Sequence, residues 1–192
     1  MRKPTRLVIS AAFVLAQIAI AQAGLDLSPH SEPFKMEGIT MSQLVFATGT
    51  NDKAIYQPPP EWKYSGDNDS LDLTPEKITQ AKATVTKWPS SPPLSFDEAG
   101  RKQLTEKFVG TLPEGSQDVK VQSEAMNPLQ IDGKQTYLVE ITYTNYGAHF
   151  ACYTLVMNRP PEPLCFRLTC REGDYDKLKE AFQRSLFSWQ NL

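Results

Sequence analysis

Few residues of this sequence are of types that could do covalent chemistry. It has three cysteines and two histidines, His30 and His149. Cys152 is close to His149 in sequence, but an odd spacing on one strand puts the two side chains on opposite faces, where a Cys–His nucleophile pair cannot form. The sequence contains no Gly-x-Ser-x-Gly, His-Glu-x-x-His, Cys-x-x-Cys or phosphate-binding glycine loop. These absences favour a protein that is not an enzyme, and no cofactor or metal is predicted.

The cysteines can be paired by strand geometry. Cys165 and Cys170 are separated by an odd number of positions on one predicted strand, so they point to opposite faces. If the turn before that strand is centred on residue 161, Cys152 and Cys170 face each other, which predicts a disulfide between them. A register shift of one residue would separate them, and the alternative is three small buried apolar residues. Cys165 is left over in either case.

Two other kinds of chemistry stay open as alternatives. A small hydrolase could use a pair of the 22 acidic residues, and a redox- or metal-responsive protein could use Cys165. The acidic run Asp67–Asp72 suggests a calcium loop, but Leu71 occupies a ligand position and Asp72 replaces the glycine. A solvated acidic turn is the preferred interpretation of this run.

Exposed aromatic residues and prolines are the other candidates, because such residues often line binding grooves. Trp62 and Tyr64 point the same way on a short predicted strand after the proline loop at Pro58, and a second proline loop contains Pro160. These four residues are the predicted binding surface. The alternative for them is ordinary packing at a sheet edge.

The elements that position these residues are clearest near the C-terminus. Segments 135–144, 149–157 and 164–170 alternate like strands, and the middle one is apolar on both faces. Short connections favour an antiparallel meander. An apolar stripe at helical spacing predicts a closing helix over 174–189, and Ser95 with Glu98 predicts a capping box that begins an earlier helix. The predicted order is strands, helix, four strands, helix.

The N-terminus has the form of a secretory leader. Residues 1–23 combine a basic start, an apolar core of about 15 residues and Ala21-Gln22-Ala23, a small-x-small cleavage site. A membrane anchor is the alternative, but it needs about 20 apolar residues. We therefore predict a cleaved signal peptide, a mature chain that begins at Gly24, and an exported protein, periplasmic or secreted. Residues 24–37 are expected to be a flexible lead-in and 38–192 a single domain.

The net charge of the chain indicates which classes of binding partner are not expected. Cleavage would remove three basic residues and no acidic ones, so the net charge would change from −2 to about −5. An acidic chain without a basic cluster is not expected to bind nucleic acid or anionic membranes. No second apolar run follows the leader, so no membrane span is predicted after cleavage.

The order of elements resembles the PsbP/Mog1-like superfamily. The resemblance extends over about 38–189 and includes Pro60-Glu61-Trp62, Gly133 ahead of the meander, and the ending Ser185–Trp189. It implies an α+β fold, an antiparallel sheet with helices packed on both faces as an α-β-α sandwich. It also implies binding or assembly rather than catalysis, with the bacterial exported branch as the nearest analogue. No functional residue is carried over. The function predicted is an accessory or binding protein of the bacterial envelope, whose partner is a protein or an envelope component.

Overall fold

A computed structural model describes residues 24–48, 52–89 and 94–192 of the chain. The predicted leader, residues 1–23, lies outside the described residues. The strands and helices are β1 (His30–Met36), β2 (Ile39–Thr48), β3 (Asp52–Tyr56), β4 (Trp62–Gly66), β5 (Ser70–Pro75), β6 (Lys82–Lys87), α1 (Glu98–Gly110), β7 (Gln117–Met126), β8 (Thr136–Asn145), β9 (Ala148–Met157), β10 (Leu164–Arg171), α2 (Tyr175–Leu186) and β11 (Gln190–Asn191).

The strands form two antiparallel sheets. The larger has seven strands in the order β4-β5-β6-β10-β9-β8-β7, and the smaller has four in the order β1-β2-β3-β11. The predicted order of four strands between two helices is confirmed, since β7 to β10 run as a meander between α1 and α2. The chain is therefore an α+β protein that consists mainly of antiparallel sheet with two helices.

The core is organised on β9, where every residue from Ala151 to Met157 is buried. Neighbouring residues of this strand belong to different apolar clusters, because alternate side chains point to opposite faces. Cys152 lies in a cluster with Leu104 and Phe108 of α1. Tyr153 lies in a larger cluster with Phe182 of α2. The central strand is covered on both sides, as its two apolar faces predict.

Helix α1 is capped by a different residue from the one that its sequence predicts. Asp97 is the N-cap, and its side chain accepts a hydrogen bond from the Gly100 backbone N–H at 2.7 Å. The Ser95 hydroxyl accepts instead from the Asp97 N–H at 3.3 Å. The predicted capping box of Ser95 and Glu98 was therefore wrong. An aspartate accepts at an N-cap as well as a serine, so the helix forms with either residue in that position.

The segment 24–37 is not the flexible lead-in that its polar composition suggested. Leu25 and Leu27 are buried in the larger cluster, and residues 30–36 form strand β1. The Asp26 N–H donates to the Ala47 carbonyl at 2.9 Å, which ties the segment to β2. Each buried leucine stabilises the fold by about 1.5–3 kcal/mol. The fold therefore includes the described residues before residue 38, from Leu25 onward.

No helix within the described part of the chain is both long and apolar enough to cross a membrane.

The end of α2 provides a test of the core. Trp189 is 1% exposed and its ring lies 5.5 Å from that of Phe46 and 5.6 Å from that of Phe166, whereas Phe187 is 61% exposed. We expect Trp189→Ala to lower the free energy of unfolding by about 3–5 kcal/mol, because it opens a cavity between the sheets. Phe187→Ala, the matched control, should change it by less than about 1 kcal/mol. Urea unfolding followed by circular dichroism measures both, and Trp189→Phe gives an intermediate value if the alanine variant does not fold. Equal effects at the two positions would contradict this packing.

Candidate functional site

The fold does not bring the four residues of the predicted binding surface together. Trp62 stacks on Phe182 of α2, with ring centroids 6.3 Å apart and planes 4° apart, so its ring is part of the core edge. Tyr64 is 41% exposed on β4, an edge strand of the larger sheet. Pro58 is half-buried in the loop before β4. Trp62 and Tyr64 lie on this edge strand and Pro58 lies in the loop that precedes it, and of the three only Tyr64 presents a large exposed apolar side chain.

Pro160 lies at the other end of the strands. Trp62 pairs with Pro75 at the end of β5, while the start of β5, Ser70, pairs with Thr86. Thr86 pairs in turn with Cys165, which follows the loop containing Pro160. The length of β5 separates the two ends, roughly 16 Å. Pro160 and Trp62 therefore do not share a surface.

The predicted disulfide between Cys152 and Cys170 does not form, because the register differs by one residue. Cys152 pairs with Thr169, and Cys170 pairs with Ala151, which puts the two sulfurs on opposite faces of the sheet. All three cysteines are free and buried. Burial raises the pKa of the Cys165 and Cys170 thiols to about 12 each. A thiol that stays protonated is a poor nucleophile and a poor metal ligand, so these cysteines act as small apolar residues.

The acidic run Asp67–Asp72 begins in the turn between β4 and β5 and ends on β5, where Asp72 pairs with Thr84. The Asp67 carboxylate accepts from the backbone N–H groups of Asp69 and Ser70, both at 2.9 Å. These backbone hydrogen bonds lower the pKa of Asp67. Within the described residues, no group of three or more acidic, cysteine or histidine side chains is placed to hold a metal ion. The carboxylate that would bind calcium is already used to close the turn.

An open groove of about 450 Å³ runs between α1 and the edge strand β7. Its lining combines charged and polar side chains with apolar groups, as the surfaces of proteins that bind other proteins also do. The lining residues are Glu98, Arg101, Lys102, Thr105 and Glu106 from α1, Glu124, Ala125 and Met126 from β7, and Tyr137 from β8.

A chain of hydrogen bonds crosses the groove and fixes its shape. The Thr105 hydroxyl donates to Glu124 Oε1 at 2.6 Å and lies 3.0 Å from the Tyr137 hydroxyl. Since a hydroxyl has one proton, Tyr137 must be the donor to Thr105. Burial raises the pKa of Tyr137, which keeps it protonated for this purpose. The chain ends on the Glu124 carboxylate, an exposed acceptor at the mouth of the groove.

The sequence analysis did not predict the groove, although the sequence contains a pattern of polar residues that corresponds to one of its walls. Glu98, Arg101, Lys102, Thr105 and Glu106 are spaced at i, i+3, i+4, i+7 and i+8, so they form one polar stripe on α1. Leu104 and Phe108 form the adjoining buried stripe. A polar stripe is also the ordinary solvated face of a helix, and only the position of β7 makes it one wall of a groove.

A second polar cluster joins β7, β8 and α2. Glu140 of β8 accepts hydrogen bonds from Ser123, from Tyr175 and, at 2.9 Å, from Lys179 Nζ. Burial alone would raise the pKa of Glu140, but these donors outweigh it and the pKa is lowered. Both carboxylate oxygens have partners, so this glutamate ties α2 to the sheet rather than acting as a free acid or base.

Comparison with known proteins identifies the fold. No protein-family model matches the sequence, and a search of the curated proteins gives no match. The solution structure of the cyanobacterial PsbP of Synechocystis has a TM-score of 0.50 to this chain at 14% identity, covering 90% of this chain and 95% of that one. The chain has a PsbP/Mog1-like fold, as the resemblance in its sequence predicted.

Two other structures are similar to this chain at lower scores. The Ran-binding protein Mog1p of Saccharomyces cerevisiae has a TM-score of 0.47 at 6% identity, covering 83% of this chain and 90% of that one. A Pseudomonas aeruginosa protein of unknown function has a TM-score of 0.46 at 13% identity, covering 82% of this chain and 94% of that one. At these identities the likeness concerns the fold alone.

The register of β9 and β10 predicts the state of the cysteines. Because no pair of sulfurs shares a face at bonding distance, the chain unfolded in guanidinium without reductant should show three thiols to a colorimetric thiol reagent. The folded chain should react slowly or not at all, since all three thiols are buried. A count of one thiol in the unfolded, unreduced chain would show that a disulfide forms and would contradict this register.

The lowered pKa of Glu140 predicts a dependence of stability on pH. A carboxylate whose pKa is lower in the folded state contributes stability above its unfolded pKa, about 4.5, and loses that contribution as the pH falls through the folded value. We expect Glu140→Gln to cost about 1–3 kcal/mol at pH 7. The difference from the wild type should shrink as the pH falls below about 4.5. Urea unfolding across this pH range measures it, with Glu114→Gln, an exposed acid, as the control. A difference that does not change with pH would contradict the assignment.

Proposed function

We propose that this protein is an exported, non-enzymatic accessory protein of the bacterial envelope that binds a partner protein through the groove between α1 and β7. In this proposal the leader formed by residues 1–23 directs export and is removed, and the mature chain is a PsbP/Mog1-like α-β-α sandwich in the periplasm or outside the cell. The groove is the single observation on which the binding site rests. The resemblance to the PsbP/Mog1-like superfamily supports binding over catalysis.

The polar groups of the groove favour a protein partner with charges of both signs. Arg101 and Lys102 offer donors on the helix wall, and Glu124 offers an acceptor on the strand wall. A partner segment with an acidic residue opposite α1 and a basic residue opposite β7 would satisfy both walls. On the strand wall, Met126 packs against the apolar cluster that contains Leu104 and Phe108 of α1, and it offers an apolar surface for a side chain of the partner.

The first described residues lie directly after the predicted cleavage site. Leu25 is buried, one residue after Gly24. A leader cut at this point would leave no unstructured linker before the domain, which supports the predicted processing. The edge that carries Tyr64 and Trp62 is the competing binding surface.

Site-specific photocrosslinking in the native host tests the binding proposal. A photoreactive phenylalanine replaces Lys102 in the groove, Lys177 on the exposed face of α2, or Tyr64 on β4. We expect one reproducible partner from position 102 and none from 177, because only the first lies in the groove. A partner captured from position 64 alone would contradict the groove and favour the edge. No partner from any position at native abundance would contradict the binding function.

Charge reversal then tests the contacts in the captured complex. Arg101→Glu with Lys102→Glu should weaken the isolated complex by at least about tenfold, since like charges across an interface are strongly unfavourable. Lys177→Glu is the matched control and should leave the affinity unchanged. Unfolding curves of the variants must match the wild type, which shows that the loss is not one of folding.

A further inference from the structure

The first described residues are held by an acidic side chain from a distant loop. The Leu25 backbone N–H donates to Glu162 Oε2 at 2.8 Å. A Cβ placed on Gly24 would lie 2.5 Å from Glu162 Oε1 and 2.6 Å from Oε2. The carboxylate thus lies directly against the backbone at residue 24, in space that a larger side chain would occupy.

This position brings the carboxylate close to the nitrogen of Gly24. In an amino acid the nitrogen and the Cβ are about 2.5 Å apart, so the Gly24 nitrogen lies no more than roughly 5 Å from Glu162 Oε1. Only Oε2 accepts the Leu25 N–H, which leaves Oε1 for another donor. Among the described side chains, none forms a salt bridge with Glu162. Arg159, three residues earlier in the same loop, lies near enough for the charge of Glu162 to raise its pKa, which burial lowers more strongly, but the two do not come within salt-bridge distance.

The segment after Gly24 is held firmly enough to fix this geometry. Leu25 is 1% exposed and Leu27 is fully buried. The Leu27 N–H donates to the Asn68 carbonyl at 3.1 Å, and Leu25 pairs with Thr48 at the end of β2. Because these contacts anchor the backbone on both sides of Asp26, the position of residue 24 against Glu162 follows from the fold.

We propose that Gly24 is the processed N-terminus of the mature protein and that Glu162 binds its α-ammonium group. This inference rests on the export proposed above. Hydrolysis of the Ala23–Gly24 peptide bond by a signal peptidase consumes one water, and leaves a carboxylate on Ala23 and an ammonium on Gly24. The reaction converts an amide nitrogen with a single proton into a cation with three, beside a carboxylate that forms no salt bridge with another described side chain. Cleavage thus completes an ion pair that the uncleaved chain cannot form.

The proposed ion pair also gives a role to both Gly24 and the loop 158–163, which contains Pro160 and Glu162. A glycine lets the carboxylate approach the backbone, and the loop between β9 and β10 carries Glu162 to the place where the chain enters the core. The new contact joins the first residue of the mature chain to the connection between the two central strands. Its effect should be on the stability of the processed form.

A double-variant cycle tests the ion pair. Two chains are released from a fusion by proteolysis, one that begins at Gly24 and one with a single extra alanine before it, each with Glu162 or with Glu162→Gln. The extra residue displaces the ammonium group. We expect it to lower the melting temperature by about 1–3 °C when Glu162 is present and to have no effect in the Glu162→Gln background. The same loss in both backgrounds, or no loss in either, would overturn the ion pair. Glu114→Gln, at an exposed site, is the control background.

N-terminal sequencing of the protein isolated from its native host tests the processing separately. A mature chain that begins at Gly24 supports the proposal, and any other first residue overturns it even if the cycle shows coupling. A protein that keeps its leader and stays in the cytoplasm would instead contradict the export itself. The stability cycle is independent of localisation, so failure of the ion pair and failure of the proposed function give different results.

Discussion

The structure depends on burying both faces of β9 at once. Seven consecutive residues of this strand, Ala151 to Met157, are buried, so neither face can be left to solvent. Residues of one face cluster with Leu104 and Phe108 of α1. Residues of the other face cluster with Phe182 of α2, with Phe46 of the smaller sheet and with Trp189, which lies between α2 and β11. The connections of the chain, including the N-terminal segment, follow from this requirement.

The same constraint explains what the sequence could predict and where it failed. Alternation and short loops predict the meander of β7 to β10, and a stripe at helical spacing predicts α2. A strand that is apolar on both faces does not reveal its register, however, because a slip of one residue exchanges two apolar faces. The pairing of Cys152 with Thr169 rather than Cys170 is set by the loop before β10, and no pattern within the strands encodes it.

The sequence did not predict the burial of the N-terminal segment or the groove, for another reason. Leu25 and Leu27 are two apolar residues in a polar stretch, and their burial depends on contacts with the distant Asn68 and Thr48. Likewise, the polar stripe of α1 becomes a groove wall only because β7 lies alongside the helix. The prediction that Trp62 and Pro160 share a binding surface also needed to know which distant elements lie side by side. The two residues lie at opposite ends of the strands. Local patterns specify elements, while sites arise where elements from distant parts of the chain meet.

Strand β7, one wall of the groove, has fewer strand partners than the central strands of the core. Strand β7 pairs with β8 on one side only, and its register shifts twice along the pair, which leaves backbone groups without partners in the sheet. Bulges of this kind also protect an edge against unwanted strand pairing. An edge strand of this kind is expected to open at a lower free energy than a central strand, and it forms one wall of the groove that we propose as the binding site.

Hydrogen exchange of the folded protein tests this account most directly, because it measures the stability of each strand separately. The account predicts that amides of β9 and β10, such as those of Leu155 and Phe166, exchange only when the whole protein unfolds. Amides of β7 such as that of Val121 should exchange through local openings, at least about a hundredfold faster. If β7 proves as protected as β9, the groove is part of the rigid core, and the claim that binding uses an adaptable edge on a doubly covered sheet is wrong.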